Sequence, residues 1–151
     1  TTLFRSGFQA AGSAPIVLGH VVKSPETLAS AIRIGNPASW ELALAAREQT
    51  DGYFGAIDDE TILAAQRILS AEVGIFVEPA SAISVAGLLE RSDAGEIPKG
   101  AIVVLTVTGH GLKDPQWALR RPDGSEVTPT SVPVDVTAIA DVLGLVAGGL
   151  K

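Results

Sequence analysis

Residues 101–107 (AIVVLTV) form a β-type run that breaks into Thr108-Gly109-His110-Gly111. A buried strand that ends in a hydroxyl and then two glycines lets the backbone approach a flat or phosphorylated ligand while the hydroxyl aims at it. Two other stretches have the same character. Ala10-Ala11-Gly12 follows the strand-like residues 3–9, and Glu78-Pro79-Ala80-Ser81 follows residues 75–77. In doubly wound sheets ligands sit beyond the carboxyl ends of the strands. Thr108, Gly109, Ala11, Gly12 and Glu78 are therefore the candidate residues: small side chains, one acid and one hydroxyl, a shallow floor for a planar ring.

Each of these has a plainer reading. Ala-Ala-Gly also serves tight helix-to-strand packing. Glu78-Pro79 also closes a strand and starts a helix, with the carboxylate serving first-turn amides. Thr108 also suits a turn hydroxyl bonded to local backbone. His110 lies beside glycines without an identified Ser, Cys or Asp partner, so an exposed loop residue and a functional one stand level. His20 reads as a surface turn residue, and Lys113-Asp114 as a local ion pair of slight energetic value. No GxxxxGK, GxGxxG, HExxH or GxSxG motif occurs, which removes most common enzyme classes.

The elements that must hold these residues alternate. Strand character recurs at residues 3–9, 15–18, 75–78 and 101–107 with helical patterns between, which predicts an α/β fold with a parallel sheet and flanking helices. Ser24, Pro25 and Glu26 supply a hydroxyl cap, a fixed φ and a first-turn charge for a helix ending at Gly35. A second helix lies within residues 37–50 and stops at Asp51-Gly52. Asp58 caps a third, which carries Ile62, Leu63, Gln66, Ile68 and Leu69 and ends before Gly74. An alanine-rich fourth spans residues 81–91, its small residues suited to close packing on a sheet. Residues 116–134, with a turn at Pro122-Asp123-Gly124, read as a surface excursion, and Asp135 caps a last helix over 136–145 ahead of a frayed Gly148-Gly149 tail. The division expected is 1–115 for the ligand-binding α/β part, 116–134 for the excursion, and 135–151 for the terminal helix and tail.

With 151 residues, 46% of them hydrophobic, the chain is long enough for one core, burying roughly two thirds of its unfolded surface. A net charge of −6 with eleven scattered Lys and Arg argues against nucleic acid and anionic membranes as partners. The apolar runs are strand-length, short of the ~20 residues of a membrane span. Without cysteine there is no thiolate metal site, and two isolated histidines do not make a zinc shell. A chain with no methionine that opens on Thr1-Thr2-Leu3-Phe4 at a probable strand reads as a piece of something longer.

Beyond these residue-level readings, the opening residues 7–15 (GFQAAGSAP), residues 76–82 (FVEPASA), the Thr108 turn, and Pro25-Glu26-Thr27 leading into residues 31–40 (AIRIGNPASW) closely resemble the C-terminal half of the threonine synthase family, fold type II enzymes dependent on pyridoxal 5'-phosphate. The resemblance covers nearly the whole chain. It implies a lyase of threonine biosynthesis that converts O-phospho-L-homoserine and water to L-threonine and phosphate, cytoplasmic and homodimeric as a complete enzyme. It implies that Thr108 faces the pyridine nitrogen, that Ala11 and Gly12 lie against one ring face, that Gly109 also contacts the cofactor, and that Glu78 sits near the ring edge or behind the residues that touch it. The Schiff-base lysine and the phosphate cup would belong to a missing N-terminal half, since Lys23, Lys99, Lys113 and Lys151 stand in the wrong contexts; the chain alone is expected to be inactive. The alternatives are a portion of another fold type II lyase, such as a dehydratase or cysteate synthase, and a non-catalytic module that complements a partner chain.

Overall fold

The computed structural model describes residues 4–121 and 123–145. They fall into two units, Thr1–Trp117 and Ala118–Lys151. In the first, β1 (Ser6–Ala10) pairs in parallel with β2 (Tyr53–Ile57), in register from Ser6 opposite Tyr53 to Ala10 opposite Ile57. β2 was not foreseen, although Tyr53, Phe54 and Ile57 have the side chains that favour a half-buried pleated surface and follow directly on the Asp51-Gly52 turn. Leu3, placed in the first strand by its sequence, lies outside the described residues.

Helices cover this pair. α2 (Trp40–Gln49) lies within the predicted span. α3 (Asp59–Ile68) starts as predicted at Asp58, whose carboxylate accepts from Thr61 N at 2.9 Å and Thr61 Oγ1 at 2.8 Å. It runs into a wider π-type turn, Leu69–Val73, before Gly74. α4 (Pro79–Asp93) begins with Pro79 at a position where its missing N–H is not needed. The core gathers Ala10 and Ile57 from the sheet, Ile62, Ala65 and Leu69 from α3 and its extension, Val77, and Ala82, Ile83, Val85 and Ala86 from α4, with Phe8, Leu105 and Val107 packed against it. The fully buried Ala82 and Ala86 bear out the small-residue packing face.

Four predictions of local structure are corrected. Residues 15–18 form not a strand but the short helix α1 (Pro15–Leu18), because the Gln9 side chain reaches back from β1 and accepts from Ile16 N at 2.9 Å and Val17 N at 3.2 Å. The helix expected from Ser24 to Gly35 is absent apart from a 3-10 turn, Ser30–Ile32. Its backbone groups are taken by distant partners: Val22 N donates to Gly35 O, Glu26 N to Gly12 O, both at 2.9 Å, and Leu28 N to Asp59 Oδ2 at 2.9 Å. Residues 101–107 form no strand; Ile102 and Val104 are exposed, while Leu105 and Val107 turn to the core. The expected strand at residues 75–78 reduces to one antiparallel bridge, Val77 with His110.

In the second unit, an antiparallel bridge joins Arg120 and Glu126, and Asp123 accepts from Ser125 N and Oγ at 2.9 and 2.7 Å. Those two hydrogen bonds, the side-chain one first, hold the Asp123 carboxyl below its ordinary range. Asp135 caps α5 (Val136–Val142) by accepting from Ala138 N at 2.9 Å. Pro122, Gly148, Gly149 and Lys151 lie outside the described residues.

Candidate functional site

α4 positions the site. Its first turn presents Ser81, buried, to residues 108–109, and the Ser81 hydroxyl is the hub of that turn. Thr108 N and Gly109 N both donate to Ser81 Oγ, at 3.1 and 2.6 Å, and Ser81 Oγ lies 3.0 Å from Thr108 Oγ1. Ser84, one turn on, donates to Thr106 O at 3.2 Å. The other side of the turn is closed by backbone: Glu78 N donates to Gly109 O at 2.9 Å and Gly111 N to Phe76 O at 3.1 Å. The hydroxyl-glycine turn is thereby clamped to the helix start while Thr108 itself stays exposed.

Glu78 lies beneath this turn with 8% of its side chain exposed, and Lys113 Nζ, on a side chain 66% exposed, stands 3.7 Å from Glu78 Oε1. A Cβ on Gly109 would lie 1.8 Å from Glu78 Oε1, so the absence of a side chain there is a condition of burying the acid. Lys113 thus pairs with Glu78 rather than with its neighbour Asp114, as its sequence position suggested. Asp114 is buried and instead accepts from Ser30 Oγ at 2.8 Å and from the Gln116 side chain.

Among the residues singled out by sequence, Thr108, Gly109 and Glu78 come together here. Ala11 and Gly12 belong to a second turn at the end of β1, with which no described hydrogen bond or ion pair links the first. There Gly12 O accepts from Glu26 N, and a Cβ on Gly12 would lie 2.0 Å from Glu26 O. His110 is exposed; its Nδ1 accepts from Leu112 N at 3.1 Å, and its ring meets Phe76 edge-on at 5.6 Å. The neutral ring therefore carries its proton on Nε2. His20 is exposed, with Nδ1 3.1 Å from Leu18 O.

Ser81 was not singled out by sequence. Its signal was its place at the end of the stretch Glu78-Pro79-Ala80-Ser81, from which only Glu78 was taken as a candidate. Among the described residues no group of three His, Asp or Glu could hold a metal ion, and no helix is long and apolar enough to cross a membrane.

A glycine turn and a hydroxyl locked to the first turn of a helix that covers a parallel strand pair define a class. The chain belongs to the pyridoxal-phosphate dependent enzyme family, whose model matches residues 5–109. Among solved structures, a fungal L-serine ammonia-lyase from Rhizomucor miehei shares the fold, with a TM-score of 0.57 and 18% identity over 77% of this chain and 40% of that one. Within the family the chain is similar to threonine synthases. It is 54% identical over 140 residues to that of Mycobacterium leprae and 51% identical over 138 residues to that of Synechocystis. The alignments take in 93% and 91% of this chain but 38% and 35% of the relatives' own lengths.

Proposed function

We propose that this chain forms the cofactor-nitrogen wall of a threonine synthase, which converts O-phospho-L-homoserine and water to L-threonine and phosphate. The observation that carries the reading is the exposed Thr108 hydroxyl, held by Ser81 on a turn that needs glycine at position 109, in a chain about half identical to threonine synthases. These residues fit the cofactor: an exposed hydroxyl suits a pyridine nitrogen, and the glycine beside it lets Glu78 pack beneath the turn that presents that hydroxyl. Bound pyridoxal phosphate supplies an electron sink for the proton removals the reaction needs.

Thr108 would hold the ring nitrogen through its hydroxyl. Unlike a carboxylate, that group does not demand a protonated ring, which makes the sink gentler and leaves the choice of path to the placed bases. Glu78 would act from beneath the turn, holding Gly109 and, through Lys113, the residues after it. Ala11 and Gly12 would lie against one ring face. The Schiff-base lysine and the phosphate cup would come from outside these 151 residues, so the isolated chain is inactive while the complete enzyme works as a cytoplasmic homodimer.

The test is an assay of the gene product that carries this segment. With O-phospho-L-homoserine and pyridoxal phosphate it should release phosphate and threonine in equal amounts, and Thr108→Val should slow turnover without unfolding the protein. Deamination of serine or threonine with no phosphate release from phosphohomoserine would overturn the substrate assignment.

A further inference from the structure

A buried carboxylate that the reaction does not use lies between the two turns. Asp114 is 6% exposed and forms no ion pair among the described residues, its neighbour Lys113 facing Glu78 instead. Burying an acid without a cation is costly unless its oxygens find donors. Gln116, two residues on, donates to Oδ1 and fixes the rotation of the group. Oδ2 accepts from Ser30 Oγ at 2.8 Å, across 84 residues of sequence.

Both ends of that hydrogen bond are tied to a candidate turn. Asp114 closes a rigid run that leaves Gly109: Gly111 N donates to Phe76 O at 3.1 Å, Lys113 N to His110 O at 3.0 Å and Asp114 N to Gly111 O at 3.1 Å. The Phe76 ring fills the Cβ space of Gly111. Ser30 opens the 3-10 turn Ser30–Ile32, and Ile32 O accepts at 3.2 Å from the Oγ of buried Ser13, the residue after Gly12. Among the described residues, Ser30 to Asp114 is the one hydrogen bond that joins the segment over the Gly12 turn to the run leaving Gly109. We propose that Asp114, through Ser30, is a positioning residue that sets how far the wall against the ring face stands from the hydroxyl at the ring nitrogen. This inference rests on the placement of the Gly12 and Thr108 turns at the cofactor and adds the group that fixes their spacing.

The experiment titrates pyridoxal phosphate into the cofactor-free gene product that carries this segment, reading affinity by absorbance and ring orientation by the visible circular dichroism of the bound cofactor. Ser30→Ala should weaken binding about tenfold, the loss expected for one hydrogen bond to a charged group, and change the dichroic band. Asp114→Ala should do the same, and the double variant should lose no more than either alone. Ser30→Thr keeps the hydroxyl and should behave as the unsubstituted protein. Asp58→Ala removes a helix cap that serves neither turn; it should lower stability and leave affinity and band in place. The proposal is overturned if Ser30→Ala leaves both in place, or if Asp58→Ala moves them as far as Ser30→Ala does. Ser30 is exposed, so its variants carry the test even where Asp114→Ala does not fold. If Thr108→Val moves the band and Ser30→Ala does not, the role of the pair fails and the placement of Thr108 stands; if neither moves it, that placement itself fails.

Discussion

The turns at Gly12 and Gly109 have the same sequence character, small residues at the end of a strand-like run, yet they are held by different means. Gly109 is fixed by side chains as well as backbone: its carbonyl accepts from Glu78 N at 2.9 Å, its amide donates to Ser81 Oγ at 2.6 Å, and the space its missing Cβ leaves is filled by the Glu78 carboxylate. Gly12 is fixed by backbone: its carbonyl accepts from Glu26 N at 2.9 Å, and the Glu26 carbonyl occupies the Cβ space. A turn held by side chains can be retuned one substitution at a time. A turn held by backbone admits glycine or a rearrangement.

The largest effect should therefore come from Gly12→Ala. Its Cβ meets a carbonyl that no side-chain change can remove, and about 3 kcal/mol of stability should be lost in urea denaturation. Gly109→Ala should cost about 2 kcal/mol alone, but under about 1 kcal/mol when introduced into Glu78→Ala, where the obstructing carboxylate is gone. Equal costs in both backgrounds would erase the distinction between the turns.

Asp59 sharpens it further. It accepts from Thr27 Oγ1 and from Leu28 N, bracing the segment that presses on Gly12. Asp59→Ala should cost about 2 kcal/mol, as for hydrogen bonds to a charged group, and it should speed amide exchange at Glu26 while leaving Gly109 protected. The smallest effect belongs to Asp58, which serves neither turn. Asp58→Ala should cost about 1 kcal/mol near neutral pH through loss of the helix cap. The Thr61 backbone hydrogen bond, then that of its side chain, depress the folded pKa of Asp58. Its contribution is thus present above the ordinary carboxylate range and lost as pH falls through the folded value, so the two proteins should converge in acid.

What could be read in advance follows the range of the forces involved. α3 and α4 were legible because Asp58 and Pro79 act within a turn of their own position. The segment from Ser24 to Gly35 carries equally good local signals, but Gly12, Val22 and Asp59 claim its backbone groups from outside, and no local pattern records that. Residues 15–18 failed for a related reason: four apolar residues suit a strand or a helix, and the deciding group is the Gln9 carboxamide. Of the site, Thr108, Gly109 and Glu78 were visible through their glycine and proline context. Ser81 was not, since its role depends on residues 27 positions away in sequence.

The parallel pair of β1 and β2 also bears on the order of assembly. Its partners are separated by everything from Ala11 to Gly52, and a β1–β2 contact is rewarded only after that long loop has closed. The contact between α3 and α4 spans far less chain. Folding should begin with that helix pair and finish with the strands, which leaves the Gly12 turn among the last parts of this unit to form. In chevron measurements, Ile62→Val or Ala86→Gly should mainly slow refolding, whereas Phe8→Leu should mainly hasten unfolding.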